Sequence, residues 1–158
     1  MPSLTTCLWF DDKAEEAAKF YASVFKDARI GHIARYGKNM PGKEGSVMTV
    51  ELELNGQKFL ALNGGPHFKF TPAISIMVNC ETQKEIDSYW EKLLEGGAPQ
   101  QCGWLTDKFG LSWQIVPATI GDMMRNGTPA QCQKMMEAVM KMVKLEIKTL
   151  QQAYEQAA

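Results

Sequence analysis

The stretch Gly103-Trp104-Leu105-Thr106-Asp107-Lys108-Phe109-Gly110-Leu111-Ser112-Trp113-Gln114-Ile115-Val116-Pro117 decides how the rest of the chain is read. Two short apolar runs flank Asp107-Lys108-Phe109-Gly110. That tetrapeptide has Asp at the first and Gly at the last position of a tight turn. The segment therefore reads as a hairpin, with Trp104 and Trp113 one on each side of the turn. The expectation is that it closes a sheet and lines whatever pocket the protein has.

Working outward, the same plan appears twice. Residues 3–10 read as a strand, with Leu4, Thr6, Leu8 and Phe10 on one face and Thr5, Cys7 and Trp9 on the other. Asp11 or Asp12 can cap the helix that follows, whose stripe of Ala14, Ala17, Ala18, Tyr21 and Phe25 suits close packing on a sheet. Residues 28–36 read as a strand containing a glycine, and 37–46 as a loop. Val47–Leu54 alternates cleanly, Asn55-Gly56 is a hairpin signal, and Gln57–Asn63 returns. After Asn63-Gly64-Gly65-Pro66 the order begins again: a strand over 73–79, a helix over 82–95 with Ile86, Tyr89, Trp90, Leu93 and Leu94 inward, a short strand near 100–102, then the Trp104–Pro117 hairpin. A shift of 69 residues places Leu8 on Met77, Phe20-Tyr21 on Tyr89-Trp90 and Thr6 on Ser75. The order of elements carries the repeat.

Residues 120–126 read as a short helix. Thr128-Pro129 starts a long one with a broad apolar face from Met135 to Leu150. Met123, Met124, Met135, Met136, Met140 and Met142 make this tail methionine-rich, as a packing face or an adaptable binding face would be.

At 158 residues the chain suffices for one domain or two small modules. Seventeen basic and 18 acidic residues give a net charge of −1, and no basic stripe with interleaved aromatics points to nucleic acid. No run of about 18 apolar residues points to a membrane. Cys7, Cys80, Cys102 and Cys132 lie 73, 22 and 30 residues apart, with no paired spacing for zinc. Free thiols and a cytoplasmic location are expected.

Leu8-Trp9-Phe10-Asp11, Ala14-Glu15-Glu16-Ala17 and Phe20-Tyr21, then Ala61-Leu62-Asn63-Gly64-Gly65-Pro66 and Thr106-Asp107-Lys108-Phe109-Gly110 with Trp113, resemble PhnB-like proteins. These belong to the vicinal-oxygen-chelate, or glyoxalase/bleomycin-resistance, superfamily. Their subgroup often carries the label "demethylubiquinone methyltransferase-like". The resemblance covers residues 3–117, and the tail also looks like the same subgroup. It implies an α+β fold of paired βαβββ modules whose cupped sheets enclose a pocket, and a homodimer. The expected organisation is a glyoxalase-like domain over 1–119, with modules of about 3–66 and 70–117, and a helical C-terminal extension over 120–158.

Metal-dependent members of the superfamily hold a divalent ion through side chains on the first and last strand of each module. Carried over by counting from Phe20-Tyr21 and Gly110, those positions fall on Thr6, Ser75 and Gln114, with Ala61, Leu62 or Asn63 on the first module's last strand. Hydroxyls and amides are poor donors for such ions, so no metal and no cofactor is expected. The expected ligand pocket comprises Thr6, Trp9, Asn63, His67, Ser75, Trp104, Trp113 and Gln114. Polar members would orient a small organic molecule and aromatic ones cover it. No catalytic residue is assigned. Cys7 would need a base such as His67 to act as a nucleophile, and Asp107 reads as a turn residue. His32, on a strand, reads as a surface or partly buried residue.

Three functions are weighed: metal-free binding of a small molecule, a metal-dependent lyase, isomerase or dioxygenase, and an interaction protein using the methionine-rich tail. Methyl transfer fits poorly, because Gly64-Gly65-Pro66 lies between modules rather than opening a helix in a doubly wound sheet.

Overall fold

The computed structural model describes residues 1–157, which divide into two compact units, 1–70 and 71–157. The first holds β1 (Thr6–Phe10), α1 (Ala14–Val24), β2 (Ala28–Arg35), β3 (Val47–Leu54) and β4 (Gln57–Asn63). Its sheet order is β1-β4-β3-β2, with β1 and β4 parallel and the rest antiparallel. The second holds β5 (Ser75–Cys80), α2 (Gln83–Leu94), β6 (Ala98–Pro99), β7 (Trp104–Thr106) and β8 (Ser112–Pro117), then α3 (Thr119–Asn126), α4 (Pro129–Met140) and α5 (Ile147–Gln156). Its sheet order, β5-β8-β7-β6, repeats the first: a parallel pair and an antiparallel run. The expected pair of βαβββ modules is present, one in each unit.

Local chemistry explains most boundaries. Asn55 and Gly56 both take positive φ, 47° and 86°, as a type I′ turn requires between β3 and β4. Thr128 and Gln131 form a reciprocal capping box with Pro129 in the first turn of α4. Helix α1 is different. Neither Asp11 nor Asp12 caps it; the N-cap is Lys13, with no side-chain cap bond of its own. Asn63, at the end of β4, instead accepts from the Ala14 N–H at 2.8 Å. The cap comes from 49 residues away, which no local pattern encodes.

Each sheet has one face covered by α1 or α2; the other face is open in unit 1 and, in unit 2, open around Gln114 but covered by the tail at Val116. In unit 1, Leu8, Phe10, Val50, Leu52, Leu54, Phe59 and Ala61 are buried, as are Ala14, Ala17, Ala18 and Tyr21 of α1. The three alanines let the helix lie close on the sheet. In unit 2, Trp113, Ile115 and Leu105 are buried with Ile86, Trp90 and Leu93 of α2. Each fully buried Leu or Ile side chain contributes roughly 2 kcal/mol by removal from water.

The tail departs from expectation. The long helix is two, α4 and α5, separated by 141–146, and it is integral to unit 2. Val116 of β8 is buried with Met135, Val139, Leu145 and Leu150, and Cys102, Ile120 and Met123 pack around them. No Gly or Pro interrupts Met140–Ile147. The break is made by tertiary contacts that offer its backbone better partners than a helix would. The strand expected near 100–102 is likewise a turn, and β6 lies just before it. Among the described residues no helix is long and apolar enough to cross a membrane.

Candidate binding face

Strand parity sorts the candidate residues. In β1, Thr6 pairs with Phe59, Leu8 with Ala61 and Phe10 with Asn63. Directly paired residues share a face, so Thr6 belongs to the side covered by α1, while Cys7 and Trp9 point to the open side. In β5 the covered side carries Ile76 beside Trp113 and Val78 beside Ile115, and the open side carries Ser75 and Met77, the latter beside Gln114. Thr6 and Ser75 therefore occupy opposite kinds of face. The reason is one residue. Three residues separate β1 from α1, and two separate β5 from α2. Aligning the helices needs a shift of 69, which sets Tyr21 on Trp90; aligning the strands needs 70, which sets Leu8 on Val78 and Phe10 on Cys80. The strand equivalent of Ser75 is Thr5. Thr6 is corrected from the open face to the helix side.

Trp113 is corrected in the same way. It is 1% exposed on the covered side, and its indole N–H donates to Asp107 Oδ2 at 2.8 Å. Asp107 Oδ1 accepts from the Phe109 and Leu111 N–H groups at 2.8 and 3.1 Å. This buried carboxylate is a structural hub, more than the turn-former read from its position.

Three candidates do come together. Trp104 is the cross-strand neighbour of Gln114, and Gln114 Nε2 donates to Ser75 Oγ at 2.9 Å. All three are half-buried on the open face, with Met77 exposed beside them. The Ser75 hydroxyl, having accepted, can donate outward, and the Gln114 carbonyl can accept. An aromatic plane next to a donor and an acceptor suits a planar molecule with polar substituents. Met77 was not among the expected residues; its alternation with Ser75 was the available signal.

In unit 1, Trp9 stands on the open face and is fixed by the loop after β4. Its indole N–H donates to the Gly65 carbonyl at 2.9 Å, and its ring meets Phe68 edge-on with centroids 4.9 Å apart. A Cβ on Gly64 would lie 2.3 Å from the ring, so only glycine lets the backbone pass. A hollow on this unit, about 440 Å³, is bordered by Thr5, Arg29, Gly31, Glu51, Glu53, Lys58 and Leu60. Arg29 pairs with Glu53 at 2.8 Å. Glu51 accepts from the His32 N–H at 3.3 Å and lies over Gly31, where a Cβ would come 2.9 Å from its Oε2. The glycine inside β2 makes room for that carboxylate. Sequence reading missed these charged residues; the open-face alternation of Glu51 and Glu53 was the signal.

Asn63 and His67 sit elsewhere. Both border a cleft of about 490 Å³ with Asp11, Asp12, Tyr36 and Lys43. Besides capping α1, Asn63 donates from Nδ2 to the Val47 carbonyl, and its own carbonyl accepts from the Tyr36 hydroxyl. Its side chain is a structural tie. His67 is exposed.

Nucleophilic and metal chemistry find little support. Cys7 makes no hydrogen bond to His67 or to another base among the described residues, and desolvation raises its thiol above the ordinary value. Among the described residues no three His, Cys, Asp or Glu side chains gather to hold an ion. Thr5 in one unit, and Ser75 and Gln114 in the other, offer hydroxyls and an amide where a divalent cation would want imidazole or carboxylate. The donor set does not fit such an ion.

A family model described as 3-demethylubiquinone-9 3-methyltransferase matches residues 2–116. The PhnB protein from Bacillus cereus is 43% identical, with a TM-score of 0.66 over 73% of this chain and 99% of that one. Protein PA1353 from Pseudomonas aeruginosa is 19% identical, TM-score 0.62, covering 74% and 98%. The fosfomycin resistance protein FosX from Listeria monocytogenes, complexed with manganese(II) and sulfate, is 12% identical, TM-score 0.54, covering 78% and 96%. The last two show the fold alone. A comparison with curated proteins finds no match. The family match ends before α3, so it does not carry the resemblance over the tail. On the family match and the Bacillus cereus relative together, the chain belongs to the PhnB-like subgroup of the vicinal-oxygen-chelate superfamily, in the family described as 3-demethylubiquinone-9 3-methyltransferase.

Proposed function

We propose that the chain binds a small organic molecule without a catalytic metal, and that Trp104, Gln114 and Ser75 form its site on unit 2. The observation that carries this reading is their joint placement on an open sheet face, where the amide and hydroxyl already hold each other at 2.9 Å. Such pre-organisation lowers the ordering cost of binding. The ring of Trp104 gives apolar contact, and the two polar groups set orientation. The partner is neither nucleic acid nor a membrane, and the working unit is a cytoplasmic homodimer.

The family's description includes methyl transfer, but the residues give that reading no support. Gly64-Gly65-Pro66 turns over Trp9, and no helix lies between it and β5. It is not a nucleotide-cradling turn, which needs a helix N-terminus behind it.

Native mass spectrometry of protein purified without added metal tests the proposal. The expected result is a dimer carrying an organic adduct of a few hundred daltons and no metal, with the adduct lost from Trp104→Ala and Gln114→Ala. A stoichiometric divalent ion, with the adduct lost to chelator, would establish the metal-dependent alternative instead. A mass equal to the bare monomer would refute both the ligand and the dimer.

A further inference from the structure

The segment between α4 and α5 is held in an unusual way. The Cys102 and Gly103 N–H groups donate to the Met142 and Val143 carbonyls at 2.8 and 2.7 Å. Both donors are left-handed, with φ of 63° and 82°, a conformation costly for Cys102. Leu145 is 1% exposed and fills the space where Gly103 lacks a side chain; a Cβ there would lie 2.9 Å from Leu145 Cγ. On its other side the segment is gripped by the first residue of α2. Gln83 Nε2 donates to the Leu145 carbonyl at 3.0 Å, and Gln83 Oε1 accepts from the Ile147 N–H at 2.8 Å. Lys144 adds an ion pair to Asp87 at 2.8 Å.

We infer that residues 141–147 act as a clasp that positions Trp104, with Gln83 as its positioning residue, so that the tail sets the geometry of the binding face. Trp104 directly follows the clasped turn. The Gln100 N–H donates to the Trp104 carbonyl, and the Trp104 N–H donates to the Gln101 carbonyl. Its backbone is therefore fastened to a turn whose conformation depends on the clasp. The opposite strand is fastened to the same turn, since the Ile115 N–H donates to the Gly103 carbonyl at 2.8 Å. Gln114, the cross-strand partner of Trp104, is the residue before Ile115. An amide is well suited to this grip. It donates to the Leu145 carbonyl and to the Asp87 carboxylate and accepts from the Ile147 N–H, opposite demands that neither a carboxylate nor an amine meets. The family match ends at residue 116, so the clasp is an addition to the matched domain. It gives this chain a control over its aromatic residue that the matched segment does not itself contain. This inference rests on the proposal that Trp104 belongs to the binding face.

The test is Gln83→Met, which keeps length and bulk and removes the amide's bonds to Leu145, Ile147 and Asp87. The full chain is labelled with 5-fluorotryptophan, and its four 19F resonances are assigned by single Trp→Phe variants. The expected result is a shifted or broadened Trp104 resonance, an unmoved Trp113 resonance, and exchange of the Cys102 and Gly103 amides faster by about tenfold or more. Gly103→Ala, which presses on Leu145 from the other side of the clasp, should move the same resonance. Faster amide exchange with an unmoved Trp104 would overturn the positioning role. No change in either would overturn the role of Gln83. If Trp104 moves but native mass spectrometry finds no ligand, the clasp stands and the binding proposal fails.

Discussion

The Asp107 carboxylate accepts the Trp113 indole N–H at 2.8 Å inside unit 2, and both residues are almost wholly buried, at 3% and 1% exposure. The same carboxylate holds the turn through Phe109 and Leu111. Replacing it strands several donors away from water. Asp107→Ala should destabilise the fold by about 3 kcal/mol, because unsatisfied buried donors cost more than the bonds themselves contribute. Trp113→Phe should cost about 2 kcal/mol, through the lost bond and the smaller ring. Urea unfolding measures both. An Asp107→Ala protein within about 0.5 kcal/mol of the parent, the range of ordinary surface changes, would show that the hub is not needed.

Much of this architecture was legible in local signals. Asn55-Gly56 announces its hairpin because only residues tolerant of positive φ fit a type I′ turn, and Thr128-Pro129 announces α4. The repeat was visible in the element order, yet its phase was not. One extra residue between Phe10 and Ala14 inverts the strand parity relative to the helix, and a one-residue slip exchanges the two faces. Counting from Phe20-Tyr21 therefore led to Thr6 when the open-face residue is Thr5. Trp113 gave no local sign of its burial, since apolar residues occupy both sides of β8. The break at 141–146 and the cap from Asn63 were invisible for another reason. Both depend on partners distant in the chain, Gln83 and Cys102 in one case and Ala14 in the other. Ser75, Gln114 and Trp104, three of the expected residues, are neighbours because β5 and β7 both pair with β8.

Gly64 sets the position of Trp9. A methyl group there would meet the indole at 2.3 Å, and the ring cannot yield without losing its bond to the Gly65 carbonyl and its edge contact with Phe68. Gly64→Ala should cost about 1–3 kcal/mol as an overpacked contact and shift Trp9 emission to the red. Unchanged emission would mean that the loop moves and the ring does not.

Asn63 separates a structural role from a ligand-binding one. Asn63→Ala removes the cap of α1 and the bond to Val47 together, and should destabilise unit 1 by about 2 kcal/mol. Asn63→Asp keeps an acceptor for the Ala14 N–H at the positive end of the helix but sets a carboxylate against the Val47 carbonyl. Its loss should be intermediate. If ligand retention in native mass spectrometry falls while unfolding midpoints stay level, Asn63 contacts the ligand and the structural assignment fails.

The cysteines should differ sharply in reactivity. Cys7 is exposed, whereas Cys80 is buried at 1% exposure. Burial, and secondarily the negative charge of Glu85, pushes the Cys80 thiol from its ordinary 9.0 up to about 11. At pH 8 only about one Cys80 in a thousand would be thiolate even if reagent reached it. Iodoacetamide should therefore label Cys7 within minutes and leave Cys80 unmodified until the protein unfolds. The raised value also has a sign in stability. The folded state favours the neutral thiol, so this contribution is intact below about pH 9, where the unfolded thiol is also neutral. It is lost as pH rises from 9 toward 11, because the unfolded chain releases its proton first. Cys80→Ala should flatten the decline in stability over that window, at the cost of a small cavity. An identical alkaline decline in parent and variant would place the responsible ionisation elsewhere.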